Sequence, residues 1–296
     1  MRIGLIDVDG HNFPNLALMK ISTYHKAKGD IVEWCIPLCE YDIVYQSKIF
    51  DEAYTKDIDF IPQAAKIIKG GTGYGLDNKL PHEIEHTYPD YSLYPNLTKN
   101  TAYGYLTRGC PRNCTFCIVS KKEGRRSVKV ADLSEFWRGQ RYIKLLDPNV
   151  LACPDHLDLL RQLVDSGAVI DFTQGLDARL LNAENTDLIN QLKIKEIHFA
   201  WDFIKDEEKV LQGLKFYADR AKHKPHGKYG TVYVLTNYNS TIEEDLYRVY
   251  KLRKLNYDPY VMIYDKPSAP SEIKRLQRWC NNKIIFGKVK RFEDYE

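Results

Sequence analysis

No stretch of this 296-residue chain is apolar for long enough to cross a bilayer, which takes about 20 such residues. The longest runs, "AVIDF" and "TVYVLTNY", fall well short. The start, "MRIGLIDVDG", lacks the basic, apolar and small-residue order of an export signal, and no internal repeat or low-complexity tract follows. A net charge of +3 is too small for electrostatics alone to imply a polyanionic partner. These absences predict a cytoplasmic protein that makes no membrane contact. Seven cysteines, an odd number in a reducing compartment, argue against a disulfide framework. Hydrophobic and charged fractions are ordinary, which argues against disorder.

What the chain does have is alternation. Over residues 1–75, "RIGLIDV", "IVEWCIP", "DIVYQSKIF" and "AKIIKGG" read as strands. "NLALMKISTYHKAKG" sets Leu16, Met19, Ile21 and Tyr24 near one helical face before stopping at Gly29. Residues 76–100, rich in Pro, Tyr and Asn, read as a surface linker. Residues 101–267 carry six strand-like segments, "TAYGYLTR", "RYIKLLD", "VIDFTQ", "EIHFAWD", "TVYVLTNY" and "PYVMIYD", most of them separated by amphipathic helices. The pattern predicts an α/β fold in which helical crossovers join a parallel sheet, flat or curled into a partial barrel. Ligands are expected at the carboxyl ends of its strands. Residues 268–296 read as a basic C-terminal extension.

One motif stands out. "TRGCPRNCTFCIV" puts Cys110, Cys114 and Cys117 in a CxxxCxxC spacing directly after a predicted strand, with no fourth cysteine nearby. A zinc site takes four Cys or His ligands, and a conventional iron–sulfur cluster takes four thiolates. A buried apolar trio would not normally stand beside Arg108 and Arg112. The spacing favours a four-iron cluster with one iron left open for another ligand.

"RGCPRNCTFC" is similar to the cluster-binding loop of the radical S-adenosylmethionine superfamily, including an aromatic residue, Phe116, just before the third cysteine. "SKKEGRRSVKVADLSEFW" resembles the segment that follows the loop in members with an N-terminal cobalamin-binding domain. "LLDPNVL" and "DFTQGLDARLL" sit where that group's second and third barrel strands end. The resemblance covers roughly residues 100–265 and implies a partial (β/α)6 barrel after a small Rossmann-like domain. It also implies a 4Fe-4S cluster on Cys110, Cys114 and Cys117, whose open iron chelates S-adenosylmethionine. An electron donor such as flavodoxin or ferredoxin reduces the cluster, and a 5′-deoxyadenosyl radical then abstracts hydrogen from a substrate the sequence does not name.

Polar residues at the strand ends are the candidates for holding that cofactor. Asp147 and Asn149 are acceptors after the second strand, where the glycine- and glutamate-containing motif of many members is absent. Gln174, Asp177 and Arg179 follow the third strand, with Arg179 suited to a carboxylate. Asp202 suits ribose hydroxyls, and Asn237 suits the adenine border. Each has a plainer reading as a helix cap or a surface pair.

Near the N-terminus, Asp9, Gly10 and His11 resemble the DxHxxG loop in which a histidine ligates cobalt. Ser47, Gly70 and Gly71 fall in the order of that family's later nucleotide-tail contacts. Pro14 replaces the glycine, which favours a relic domain over a working cobalamin site. Cys35, Cys39, Cys153 and Cys280 read as small buried hydrophobes. The basic terminus, with Lys274, Arg275, Arg278, Lys283, Lys288, Lys290 and Arg291 around Trp279, Phe286 and Phe292, suggests nucleic acid only weakly. A cobalamin-dependent radical methyltransferase is one alternative. A metal-stabilised nucleic-acid-binding or interaction module without catalysis is another.

Overall fold

The computed structural model describes residues 1–10 and 12–295, so His11 lies outside the described residues. The fold is α/β with parallel sheets. It divides into two compact units, residues 1–104 with 131–143, and residues 105–130 with 144–296. No described helix is long and apolar enough to cross a membrane.

In the first unit, β1 (Arg2–Asp7), β2 (Ile31–Trp34), β3 (Glu40–Ser47) and β4 (Gln63–Gly70) form an all-parallel sheet in the order β2-β1-β3-β4. Alternation along β1 turns Ile3 and Leu5 onto Leu18 and Ile21 of α1 (Leu16–Ala27), a helix capped by Asn15. The opposite face carries Ile6, Tyr41 and Val44 and lies under Cys35, Cys39, Ile58 and Phe60. The β2-to-β3 connection, residues 35–39, is a short loop with a turn in which Cys39 N donates to the Ile36 carbonyl at 3.0 Å, far shorter than the dozen residues a parallel crossover usually takes. Residues 76–100, expected as a linker, contain α2 (His82–Glu85), whose Ile84 joins the core beside Ile3 and Leu5. β5 (Thr101–Gly104) ends this stretch.

In the second unit, β6 (Thr107–Arg108), α3 (Val119–Lys122) and β7 (Val128–Lys129) frame the cysteine segment. β8 (Tyr142–Leu145), which begins within the first unit's residues, is followed by α4 (His156–Ser166), β9 (Val169–Phe172), α5 (Ala183–Gln191) and β10 (Lys193–Glu196). Then come β11 (His198–Ala200), α6 (Glu207–Arg220), β12 (Thr231–Thr236), α7 (Ile242–Lys254) and β13 (Asp258–Ile263). β8, β9 and β10 are neighbours in one sheet and β11, β12 and β13 in another, the latter all parallel. Phe199 packs on Tyr217 of α6 and Trp201 on Tyr247 of α7, so alternate residues such as Ala200 and Asp202 point to the other face.

The C-terminal residues are structural. α8 (Ser271–Asn281) and α9 (Lys283–Lys288) follow β13, and Leu276, Trp279, Cys280 and Phe292 join Val249 and Val261 in one buried cluster. Trp279 is fully buried, the Arg253 guanidinium covers Phe286, and that of Arg275 covers Phe292. The aromatics that suggested base stacking are therefore spent on the core and on cation–π contacts.

Candidate functional site

The chain's own strand pairing and hydrogen bonds hold the neck of the cysteine loop. β6 pairs antiparallel with β7, so residues 109–127 leave and return at one point. Just beyond β8, the buried Asp147 carboxylate accepts from Thr107 N at 2.5 Å, Thr107 Oγ1 at 2.7 Å and Leu106 N at 3.2 Å. Burial outweighs those donors and pushes the Asp147 carboxyl up to about 6. Glu123 accepts from Arg108 Nη1 at 2.9 Å and Gly109 N at 3.3 Å, and Cys110 N donates to the Gly124 carbonyl at 3.1 Å. Gly109 has φ of +84°, and a Cβ there would lie 2.1 Å from the Arg126 carbonyl oxygen, so only glycine closes this neck.

Cys110, Cys114 and Cys117 are half-buried free thiols. Burial, with Asp202 and the two other thiols adding, pushes Cys114 up to about 11. Cys117 is raised too, by burial first, with Cys110 and Asp202 among the lesser causes. Among the described residues, no three His, Cys, Asp or Glu side chains converge as ligands of a single ion. Zinc thiolates crowd about 2.3 Å around one centre, whereas cluster thiolates each bind a different iron and stand farther apart. Three thiols fall one short of the four ligands zinc takes, so the donor set suits a cluster with one open iron better than a zinc ion.

Asn149 stands beside the loop. Its Nδ2 lies 3.6 Å from Cys110 Sγ and 3.4 Å from Asp177 Oδ2. Its Oδ1 is buried without a hydrogen-bond partner, an acceptor left open beside Cys110. Asp177 takes the Arg112 guanidinium at 2.5 Å and Arg179 at 2.8 Å. Burial raises its carboxyl, but the two guanidiniums prevail and hold it below the ordinary range. Arg179 also donates Nη1 to Asp206 at 2.9 Å and Nη2 to Asp177 at 3.2 Å, so three of its five N–H groups are engaged. Gly213 of α6 lets this turn come close, since a Cβ there would lie 2.0 Å from the Ala178 carbonyl oxygen. Gln174 is exposed on the loop after β9.

Asp202 follows β11 on the face turned away from α6 and α7, and burial pushes its carboxyl up to about 6 against the pull of Arg248 and Arg179. Asn237 ends β12 in the left-handed region at φ +61° and donates Nδ2 to the Tyr264 carbonyl at 2.8 Å. Asn113 in the cysteine loop, Asn239 and Asp265 share that conformation, a concentration of strained backbone typical of functional sites. Phe116 meets Tyr238 at 5.5 Å and Phe203 at 5.7 Å, and Tyr238 meets Tyr264 at 4.7 Å. The Tyr238 hydroxyl donates to Thr115 Oγ1 at 2.7 Å, tying β12 to the cysteine loop.

Beneath this wall lies Arg248 of α7, fully buried. It donates to the carbonyls of Trp201 at 2.8 Å, Asp202 at 2.7 Å and Leu235 at 2.7 Å, and to Asp245 Oδ1 at 2.5 Å. Sequence reasoning missed Arg248, because an Asp–Arg pair three apart on a helix reads as a surface pair. Phe203, Tyr238 and Tyr264 were missed as well. Alternation along "YVMIYD" was the available signal, as it sets Tyr264 on one face with Tyr260 and Met262.

In the first unit, Asp9 accepts from Ile49 N at 2.8 Å and Phe50 N at 2.7 Å, and Ser47 Oγ accepts from Asn15 Nδ2 at 2.8 Å. The Gly70 carbonyl accepts from Lys48 N at 3.0 Å, and Gly71 has φ of +91°. Cys35 and Cys39 are half-buried here, while Cys153 and Cys280 are buried in the second unit.

No family model matches the chain. It is 29% identical over 154 residues to a tRNA-2-methylthio-N(6)-dimethylallyladenosine synthase of Pseudoalteromonas atlantica, across 49% of this chain and 29% of that protein. It is 24% identical over 152 residues to a CDK5RAP1-like protein of Oryza sativa subsp. japonica, across 47% and 25%. The chain spans less than a third of either relative's length. Both likenesses support, in general terms, the radical S-adenosylmethionine resemblance read in the cysteine loop.

Proposed function

We propose that this chain is a radical S-adenosylmethionine enzyme whose cluster is held by Cys110, Cys114 and Cys117, acting on a substrate yet to be identified. In this reading the first unit's sheet is a Rossmann-like domain and the second unit's strands form a partial barrel. The observation that carries the reading is the three-thiol loop with an open buried acceptor, Asn149 Oδ1, beside it. When bound, the cluster and the sulfonium supply reductive carbon–sulfur cleavage, giving a nucleosyl fragment that takes hydrogen from the substrate.

The chain's own residues bind, orient and shield. Asn149 accepts from the methionyl ammonium through Oδ1. Arg179, anchored by Asp177 and Asp206, offers its two remaining N–H groups to the carboxylate. Asp202 accepts from the ribose hydroxyls, while Phe116, Phe203, Tyr238 and Tyr264 give the adenine an apolar wall that Asn237 borders. Asp147, with three donors already on it, acts by fixing the loop's neck. Gln174, facing solvent, receives no part. In this reading the first unit binds no corrinoid, which is favoured by Asp9 and Ser47 meeting partners of their own chain.

Anaerobic reconstitution tests the proposal. The expected result is about four iron and four sulfide per chain, with 5′-deoxyadenosine and methionine released on reduction. One tight zinc and no nucleoside would overturn it in favour of a binding module.

A further inference from the structure

The first unit holds two cysteines that the proposed chemistry does not use. Cys35 and Cys39 bracket "CIPLC", the loop that joins β2 to β3. Both are half-buried free thiols, and both pack on the buried cluster of Ile6, Tyr41 and Val44. The turn closed by Cys39 N on the Ile36 carbonyl brings position 39 back toward the residue beside Cys35. A disulfide needs its Cα atoms within about 7 Å, the same span that defines such a turn. The loop is anchored at its start, where Cys35 N donates to the Leu5 carbonyl at 2.9 Å and Ile36 N to the Tyr41 hydroxyl at 3.0 Å. Between the cysteines it is open to solvent. Ile36 is 51% and Leu38 88% accessible, so core packing does not explain these apolar side chains. A cation stands at one of the two sulfurs. Arg2 donates Nε and Nη2 to Glu33 at 2.9 and 2.6 Å, and its guanidinium also hydrogen-bonds Cys39. Burial first, and then the charge of Cys39, raises the Cys35 thiol.

We propose that Cys35 and Cys39 form a thiol–disulfide exchange site, oxidised to an intramolecular bridge by low-molecular-weight disulfides of the glutathione class. Cys39 is the attacking sulfur, because the Arg2 guanidinium meets the negative charge of its thiolate. That thiolate attacks one sulfur of glutathione disulfide, expels the other as a glutathione thiolate and leaves a mixed disulfide. Cys35 then loses its proton to solvent, attacks the Cys39 sulfur and expels the second glutathione. In sum the two protein thiols give up two electrons and two protons, and one glutathione disulfide becomes two glutathione thiols. The exposed loop lets the small disulfide reach Cys39. A metal ion fits the pair less well, since among the described residues no third His, Cys, Asp or Glu converges with it. The inference does not depend on the cluster reading, because none of its residues belongs to the cysteine loop at 110–117.

The test equilibrates the full chain with mixtures of reduced and oxidised glutathione, quenches with acid and alkylates the remaining thiols. Mass is read on the tryptic peptide of residues 29–48, which holds Cys35 and Cys39 and no other cysteine. In oxidising mixtures that peptide is expected to lose two hydrogens and take no alkyl group, and dithiothreitol is expected to restore both alkylations. In Cys35→Ser the same peptide is expected to stop at one glutathionyl group on Cys39. Arg2→Gln is expected to slow bridge formation about threefold or more. A wild-type peptide that stays doubly alkylated in glutathione disulfide would overturn the proposal. So would a disulfide joining Cys35 or Cys39 to a cysteine outside residues 29–48. Iron and sulfide content do not enter the readout, so either result leaves the cluster reading to its own test.

Discussion

Asp147 shows how one side chain can set both a geometry and a pH dependence. Its folded pKa of about 6 stands above the ordinary carboxyl value of 3.8. Between those values the folded chain binds more protons than the unfolded one, so stability is fully present below about pH 4 and falls as pH rises toward 6. At about 1.4 kcal/mol per pKa unit the loss is on the order of 3 kcal/mol. Urea melts of wild type and Asp147→Asn across that window are expected to differ by a slope of this sign, and parallel curves would refute the assignment. Cys114→Ala is expected to lose most of its iron in anaerobic loading while unfolding within about 1 kcal/mol of wild type, because the thiol is half-buried and outside the apolar core. The three cysteines were the most conspicuous candidates in the sequence because their spacing sets them apart. The duty of Asp147 was not legible, since a carboxylate at a strand end looks the same in sequence whether it awaits a ligand or already holds two amides and a hydroxyl.

Strands and helices were the most readable level. The four crossover helices and the six strand segments of residues 101–267 were foreseeable from their periods, because each buries one face, and α5 and α7 carry capping boxes, that of α7 being Thr241 with Glu244; β10 was not foreseen. Less readable was what α7 does with its buried face. Arg248 donates to the carbonyls of Trp201 and Asp202, just after β11, and of Leu235, near the end of β12. Arg248→Met is expected to cost about 3–5 kcal/mol in urea denaturation, since it strands a buried Asp245 carboxylate along with those carbonyls. Adding Asp245→Leu is expected to restore part of that loss, and strict additivity would argue against a coupled pair. Gly109→Ala addresses the loop neck. The strained φ and the clash with the Arg126 carbonyl are expected to abolish most iron uptake, with α-helical circular dichroism unchanged.

At the scale of the molecule, the division of the chain was the hardest feature to foresee. Residues 131–143 belong with the first unit although they follow the cysteine loop, and no composition shift marks either boundary. Residues 76–100 read as a linker because Pro and Tyr obscure periodicity, yet Ile84 is core. The Rossmann-like reading of the first unit makes its own prediction. His11→Ala is expected to leave iron loading and nucleoside release at wild-type levels, and protein from cobalamin-fed cells to show no corrinoid absorbance. A stoichiometric corrinoid lost on that substitution would reinstate the methyltransferase alternative. Finally, the neck of the cysteine loop is drawn shut by the chain's own amides, carboxylates and a guanidinium. In the proposed reading, work in air should therefore bleach the protein without denaturing it, and a pale preparation given iron, sulfide and a thiol reductant under anaerobic conditions should regain its brown colour.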